Sequence, residues 1–246
     1  MSDDSPADDE ATIEYFERHV HDYGPRRFRF ALDQIRNHVT PETALIDVGC
    51  GTGTLLELLA SETGIVDLTG VDVSANALAV AAGRVTCETF QVSILAPDLA
   101  ASIPRRYDFV VMAAVLHHLV GPSRVRSREI AAAALQQAVE LMTNDGHLVI
   151  VEPTFTPHWA MSLVFFVKKR VTLLTSRRIE ILGRWNNIGA PVVSYYSPDE
   201  LCDLVSEAGA EVVELHNVKS RLRLLPKLLG ISGRWETTLI ARRISR

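Results

Sequence analysis

The chain has 246 residues, 47% of them apolar, and a formal net charge of −5 at neutral pH, so it can bury a full core as one domain or as a domain with a cap. Five of the 30 acidic residues lie at positions 3–10, and the remainder balance the 25 basic ones. That balance argues against a uniformly basic nucleic-acid binder, and no nucleic-acid partner is expected. No apolar run approaches the roughly 20 residues that span a bilayer. The start, Met1-Ser2-Asp3-Asp4, lacks the basic and apolar stretches of a signal peptide. Residues 1–10 read as a disordered acidic tail ahead of one domain over 11–246. Cys50, Cys87 and Cys202 form no disulfide or metal pattern, which fits a reducing cytoplasm.

In chain order, helical periodicity runs over 12–20 and 26–39, ended by Thr40-Pro41. A strand at 44–49, a helix at 54–61, a strand at 67–73, a helix at 75–84 and a strand at 88–94 follow. A short helix near 97–101 leads into a strand at 107–114. A long alanine-rich helix over 129–142 passes through Asn144-Asp145-Gly146 into a strand at 147–152. Such alternation predicts an α/β fold, doubly wound about a mostly parallel sheet. Residues 154–195 interrupt it with an apolar, basic and aromatic stretch, placed after a strand's carboxyl end to cap a ligand crevice. Ser197-Pro198-Asp199-Glu200 then opens a helix ending at Gly209, and strands at 211–218 and 236–244 bring the total to seven.

Ala44-Leu45-Ile46-Asp47-Val48-Gly49-Cys50-Gly51-Thr52-Gly53 is the most informative stretch: a buried strand, a tight glycine turn and a helix start, where a backbone can approach a ligand closely. Asp47 lies inside the strand's end, where an unpaired charge is costly, so a bound ligand is the economical partner. A dinucleotide fingerprint would need glycine at 54 or 56, where Thr54 and Leu56 stand, and no lysine completes a P-loop. The ligand is therefore not expected to be held through phosphates.

Leu45 to Gly53 resembles motif I of the class I S-adenosylmethionine (SAM) methyltransferases. Val71-Asp72-Val73-Ser74, Tyr107-Asp108-Phe109-Val110-Val111, Leu116-His117-His118-Leu119 and Gly146-His147-Leu148-Val149-Ile150 follow in the family's order. The similarity covers about 40–153 and resumes over 197–244; it is greatest to small-molecule enzymes of the ubiquinone-biosynthesis type. It implies a Rossmann-like sheet with an antiparallel last strand, N-terminal helices and a helical cap after strand five. It also implies SAM as cofactor, with S-adenosylhomocysteine as product. The implied cofactor residues are Asp47, Gly49, Cys50, Gly51, Gly53, Asp72, Val73, Ser93, Ile94 and Ala113. Asp72, 19 residues past Gly53, would accept the ribose hydroxyls, and Val73 and Ile94 would sandwich the adenine. Ser93 stands where the family commonly has an acid for the adenine amino group, and a hydroxyl accepts such a bond more weakly. The bland alternatives are a helix-cap acid at 47 and a surface charge at 72.

Methyl transfer asks a protein to align the acceptor and, for a hydroxyl, to remove its proton. His117 and His118 follow strand four, across the crevice from the glycine turn. The resemblance puts His118 on the position most often histidine, where it is either a base or a buttress of the loop. Glu152 is a second base candidate, or else a carboxylate paired with a cap arginine, and His158 is a cap contact or a surface group. The other histidines show no metal-ligand spacing, so no metal is implied.

Ala113-Ala114-Val115-Leu116 replaces the Asn/Asp-Pro-Pro-Tyr/Phe sequence of adenine-N6 and glutamine-N5 enzymes, which leaves transfer to an oxygen of a small molecule as the leading expectation. The alternatives are a cyclopropane-synthase-like lipid enzyme and a SAM-binding regulator. Phe155, Trp159, Phe165, Phe166 and Trp185, with Arg124, Arg126 and Arg128 beside the mouth, suggest an anionic or amphipathic acceptor and peripheral membrane contact through the cap. The competing reading is an apolar cap face packed on the sheet. Oligomeric state is left open.

Overall fold

The computed structural model describes residues 24–97, 99–103, 105–174, 192–222, 227 and 230–244. The expected tail at 1–10, the helix at 12–20, the end of the cap with Trp185, and the segment 175–191 lie outside the described residues.

Seven strands form one sheet in the order β3-β2-β1-β4-β5-β7-β6. They are β1 (Ala44–Val48), β2 (Asp67–Asp72), β3 (Glu88–Gln91), β4 (Tyr107–Ala113), β5 (Met142–Thr156), β6 (Ala210–Lys219) and β7 (Gly233–Arg243). The first five are parallel, and β7 runs antiparallel to both β5 and β6. The helices are α1 (Arg29–Arg36), α2 (Thr54–Thr63), α3 (Ala75–Arg84), α4 (Leu99–Ser102), α5 (Arg124–Glu140), α6 (His158–Leu174) and α7 (Pro198–Glu207), with 3-10 turns at Pro25–Phe28 and Leu116–His118.

Alternation along the pleat divides the core. Ile46, Val110, Met112, Leu148 and Ile150 face α5 and α7, where Ala131, Ala134, Leu135, Leu201 and Leu204 meet them. Leu45, Phe109, Val111 and Val149 face the other way, onto Leu32 and Ile35 of α1 and Leu55, Leu56 and Leu59 of α2. Each fully buried leucine contributes about 1.5–3 kcal/mol relative to exposure. A third, smaller cluster ties the cap down through Phe155, Ala160, Met161, Val193, Tyr195 and Ile231.

The departures from sequence periodicity have local causes. β3 is an exposed edge strand that stops at Gln91, and the Ser93 hydroxyl, accepting from the Leu95 N–H at 3.1 Å, turns the chain. α5 starts at Arg124 rather than at 129, because Ser123 caps it by accepting from the Arg126 N–H. β5 continues past Glu152 to Thr156 because β7 pairs with it as far as Gly233. Ser197 and Glu200 form the expected capping box of α7. Among the described residues no helix is long and apolar enough to cross a membrane.

Candidate active site

The three turn glycines all have positive φ, 77° at Gly49, 52° at Gly51 and 75° at Gly53, but they meet different constraints. A Cβ at Gly49 would come 2.4 Å from Val115 Cγ2, and one at Gly53 would come 2.9 Å from Ala81 Cβ. A Cβ at Gly51 would meet nothing within 4 Å among the described residues, so that glycine has open space on its side of the turn. The Gly49 and Cys50 N–H groups both donate to the Val71 carbonyl, at 2.7 and 3.0 Å, which ties the turn to β2.

Asp72 closes the other side of the turn. One carboxylate oxygen accepts from the Gly51 N–H and the other from the Ser74 N–H, each at 2.9 Å. Asp47 is 1% exposed, and its Oδ1 has no hydrogen-bond partner among the described residues. Burial, aided by the Asp72 charge, pushes its carboxyl up to about 7. Cys50 is buried against Gly70, and burial pushes its thiol up, which leaves it a packing group. Val73 and Ser93 are half-buried, Ile94 is buried and Ala113 ends β4. Ala114 follows in the left-handed region at φ 61°, an uncommon conformation for a residue with a Cβ.

Beyond Ala114, the Leu116–His118 turn is anchored by Glu152. Its Oε1 accepts from the Leu116 N–H at 2.7 Å, and its Oε2 lies 2.6 Å from His117 Nδ1. Both side chains are 3% exposed. Among the described residues, Glu152 thus engages the turn through both oxygens. The His117 ring lies against His118, with centroids 4.0 Å apart, and stacks on Tyr195 at 5.2 Å. Burial, then the Arg27 and Lys168 charges, hold the His117 imidazolium well below its usual range, while burial pushes the Glu152 carboxyl up against the Leu116 N–H and Arg27. The pair thus resists gaining a second proton and keeps its first one beyond the ordinary carboxylate range. His118 is half-buried beside it, and His158 is exposed at the start of α6.

Three groups around His117 had no signal in the sequence. Arg27, from the 3-10 turn before α1, is held by Glu236 of β7, with Nε 3.1 Å from Oε1. Lys168 is buried on the inner face of α6, and burial lowers its ammonium to about 8. Tyr195 arrives on the extended chain after the cap, where spacing says nothing of its neighbours.

The arginines expected to charge the mouth are committed to carboxylates. Arg124 grips both oxygens of Glu200 at 2.9 and 3.1 Å, Arg126 meets Glu129 at 2.8 Å, and Arg128 meets Glu207. The outer face of α6 exposes Trp159, Leu163, Phe166 and Val167, while Ala160, Met161 and Phe165 pack inward. Among the described residues no three His, Cys, Asp or Glu side chains converge as a metal would require.

The strand order, the glycine turn after β1 and the carboxylate ending β2 define the class: a doubly wound α/β protein that receives its ligand at the carboxyl ends of the parallel strands. A family model described as a methyltransferase domain matches residues 15–215, and the chain belongs to the class I SAM-dependent methyltransferases. The magnesium protoporphyrin IX methyltransferase of Synechocystis PCC 6803, solved with bound S-adenosylhomocysteine, superposes with a TM-score of 0.61 at 15% identity, over 96% of this chain and 99% of that one. A SAM-dependent methyltransferase from Anabaena variabilis superposes with a TM-score of 0.63 at 18% identity, over 96% and 93%. In sequence, the ribosomal RNA small subunit methyltransferase C of Cronobacter sakazakii is 30% identical over 128 residues, 51% of this chain. The chain spans about a third, 36%, of that relative's length.

Proposed function

We propose that this protein transfers a methyl group from SAM to an oxygen of a small-molecule acceptor, with His117 as general base oriented by Glu152. The observation that carries the reading is the buried His117–Glu152 contact of 2.6 Å on the turn that follows β4, with the glycine turn packed against Val115 of the same segment.

The residues present fit the cofactor. The unpartnered Oδ1 of Asp47 calls for a donor, which the ammonium of SAM's amino-acid end would supply, and the open side of Gly51 admits that end to the backbone. Asp72 accepts two backbone N–H groups, and a carboxylate has about four acceptor sites, enough to take ribose hydroxyls as well. Val73 and Ile94 would bracket the adenine, and Ser93 would accept from its amino group with the lone pair left by the Leu95 N–H. Gly49, Cys50, Gly53 and Ala113 shape the floor through their backbone. When bound, SAM supplies an electrophilic methyl on a sulfonium.

On the acceptor side, an ionised Glu152 accepts a hydrogen bond from the Nδ1–H of His117, which leaves the Nε2 lone pair to remove the acceptor's hydroxyl proton. Glu152 then balances the imidazolium, a pairing that the dry surroundings strengthen. His118 is the second candidate for the base. The apolar outer face of α6 supports an amphipathic acceptor met at a membrane surface in the cytoplasm.

The likeness to a ribosomal RNA methyltransferase supports a second reading, a nucleobase acceptor. Against it stand Ala113-Ala114-Val115-Leu116 after β4 and the balanced charge. The test is incubation of the protein and methyl-labelled SAM with fractionated cell extract. Label in small molecules, released as methanol from an ester by alkali or as methyl iodide from an ether by hydriodic acid, supports oxygen transfer. Label in RNA or in lipid acyl chains overturns it in favour of a nucleobase or cyclopropane-type acceptor. Binding of S-adenosylhomocysteine without any label transfer points to a regulator.

A further inference from the structure

Glu152 fixes one edge of the His117 ring, but a hydrogen bond at one nitrogen leaves the ring free to swing about it. Two more constraints come from the chain that leaves the cap. The Ser194 N–H donates to the His117 carbonyl at 2.8 Å, and the Tyr195 ring stacks on the imidazole, the planes inclined by 21°. Tyr195 also rests on Phe155, with centroids 4.6 Å apart, and the Phe155 N–H donates to the Tyr196 carbonyl at 2.9 Å. Residues 194–196 are thus laid as a strap between the His117 turn and the end of β5.

One side chain holds the strap. Arg124, the first residue of α5, donates through Nη1 to the Ser194 hydroxyl at 3.2 Å and to the Tyr195 carbonyl, and through Nη2 to both oxygens of Glu200. Its guanidinium also lies over the Tyr196 ring at 5.4 Å. Glu200 is itself fixed, because the same carboxylate accepts from the Ser197 N–H in the capping box of α7. Val193 to Ser197 are all buried, so the strap is packed as well as bonded. A guanidinium is suited to this place because its fork reaches two backbone-proximal oxygens on one side and a carboxylate on the other, which an ammonium cannot do.

We propose that Arg124 and Tyr195 are positioning residues for the base: Arg124 pins the strap, and the strap holds the His117 ring with Nδ1 on Glu152 and Nε2 toward the acceptor. The proposal rests on the His117–Glu152 reading of the site. It also ties the cap to the chemistry, since the chain that leaves the cap sets the geometry of the proton acceptor.

The test reads the imidazole itself. Full-length protein labelled with 15N-histidine, saturated with S-adenosylhomocysteine at about pH 9, is examined by long-range 1H–15N correlation, with His117→Gln assigning the signal. The wild type and Tyr195→Phe should show a single tautomer protonated at Nδ1. Tyr195→Leu and Arg124→Met should show both tautomers, with S-adenosylhomocysteine affinity within about twofold of wild type, and Arg124→Lys should recover only part of the single-tautomer signal. A merely structural role would lower the melting temperature and leave the tautomer unchanged, and that result in the folded variants overturns the proposal. Should Arg124→Met fail to fold, Glu200→Gln loosens the same clamp from its far end and is read in the same way. Glu152→Gln separates the two ideas: if it too leaves His117 protonated only at Nδ1, the underlying dyad is wrong rather than the strap.

Discussion

Replacing Asp47 by asparagine should stabilise the ligand-free protein, and more so in alkali than in acid. The carboxyl moves from its ordinary 3.8 to about 7 on folding, because burial and Asp72 disfavour its charge. The folded protein therefore holds this proton more tightly than the unfolded chain does. The resulting stability is complete below about pH 4 and is lost as pH rises through 7. Integrated between about pH 5 and about pH 8, the loss is about 2.5 kcal/mol. Asparagine does not titrate and escapes it, although its amide carries a desolvation cost of about 1–3 kcal/mol at either pH. The Asn-minus-wild-type difference should thus shift by about 2.5 kcal/mol in favour of Asp47→Asn, or about 5–10 °C in melting temperature for a chain of this size. Glu152 titrates in the same range in both proteins and cancels. Urea unfolding of both proteins at the two pH values measures the shift. A difference independent of pH would show that Asp47 is not the buried, raised carboxyl described above. The same variant should bind S-adenosylhomocysteine more weakly, so stability and affinity move in opposite directions.

Gly51→Ala should cost only about 1–2 kcal/mol of stability from its positive φ, yet depress S-adenosylhomocysteine affinity well beyond that, because its methyl group enters the open side of the turn. Equal binding by calorimetry would remove Gly51 from the cofactor site. Ala114→Gly should relieve the left-handed strain and gain about 1 kcal/mol in urea unfolding, and no gain would mean that the turn does not store it. Glu152→Gln should lower kcat by about 10²–10⁴ with cofactor affinity unchanged. In the wild type the base works only after the His117–Glu152 pair has lost its shared proton. Turnover should therefore rise with pH through a midpoint above the ordinary histidine value of ~6.5, and a midpoint at that value would point to a solvated imidazole instead.

The glycine turn and the carboxylate beside it were legible because their determinants are local. A turn needing three positive φ angles announces itself as Gly49, Gly51 and Gly53, and Asp72 follows at the end of the next strand. The sheet was legible for the same reason, since buried strands and amphipathic helices alternate with clear periods. Beyond Ala114 only part could be read: His117, His118 and Glu152 stand out by position, but Tyr195 from beyond the cap, and Arg27 with Glu236 from opposite parts of the chain, do not, because their contacts join distant pieces. The sequence shows Arg124, Arg126 and Arg128 as a run of positive charge, but not that each has a carboxylate within reach. Adjacency in His117-His118 hid their difference, which emerges only when Glu152 selects one ring.

The position of β7 between β5 and β6 has a consequence for how the molecule is made. β6 is synthesised first but finds its sheet partner only in β7, and β5 shows a bare apolar edge until β7 docks along ten residue pairs from His147 to Thr156. A growing chain therefore carries β5 half-paired, and β6 waiting, until residue 243 has left the ribosome. Pairings this distant in sequence are slow to close and expose strand edges to other chains meanwhile. Glu236, which holds Arg27, belongs to the same late strand, so that ion pair forms only once β7 has docked.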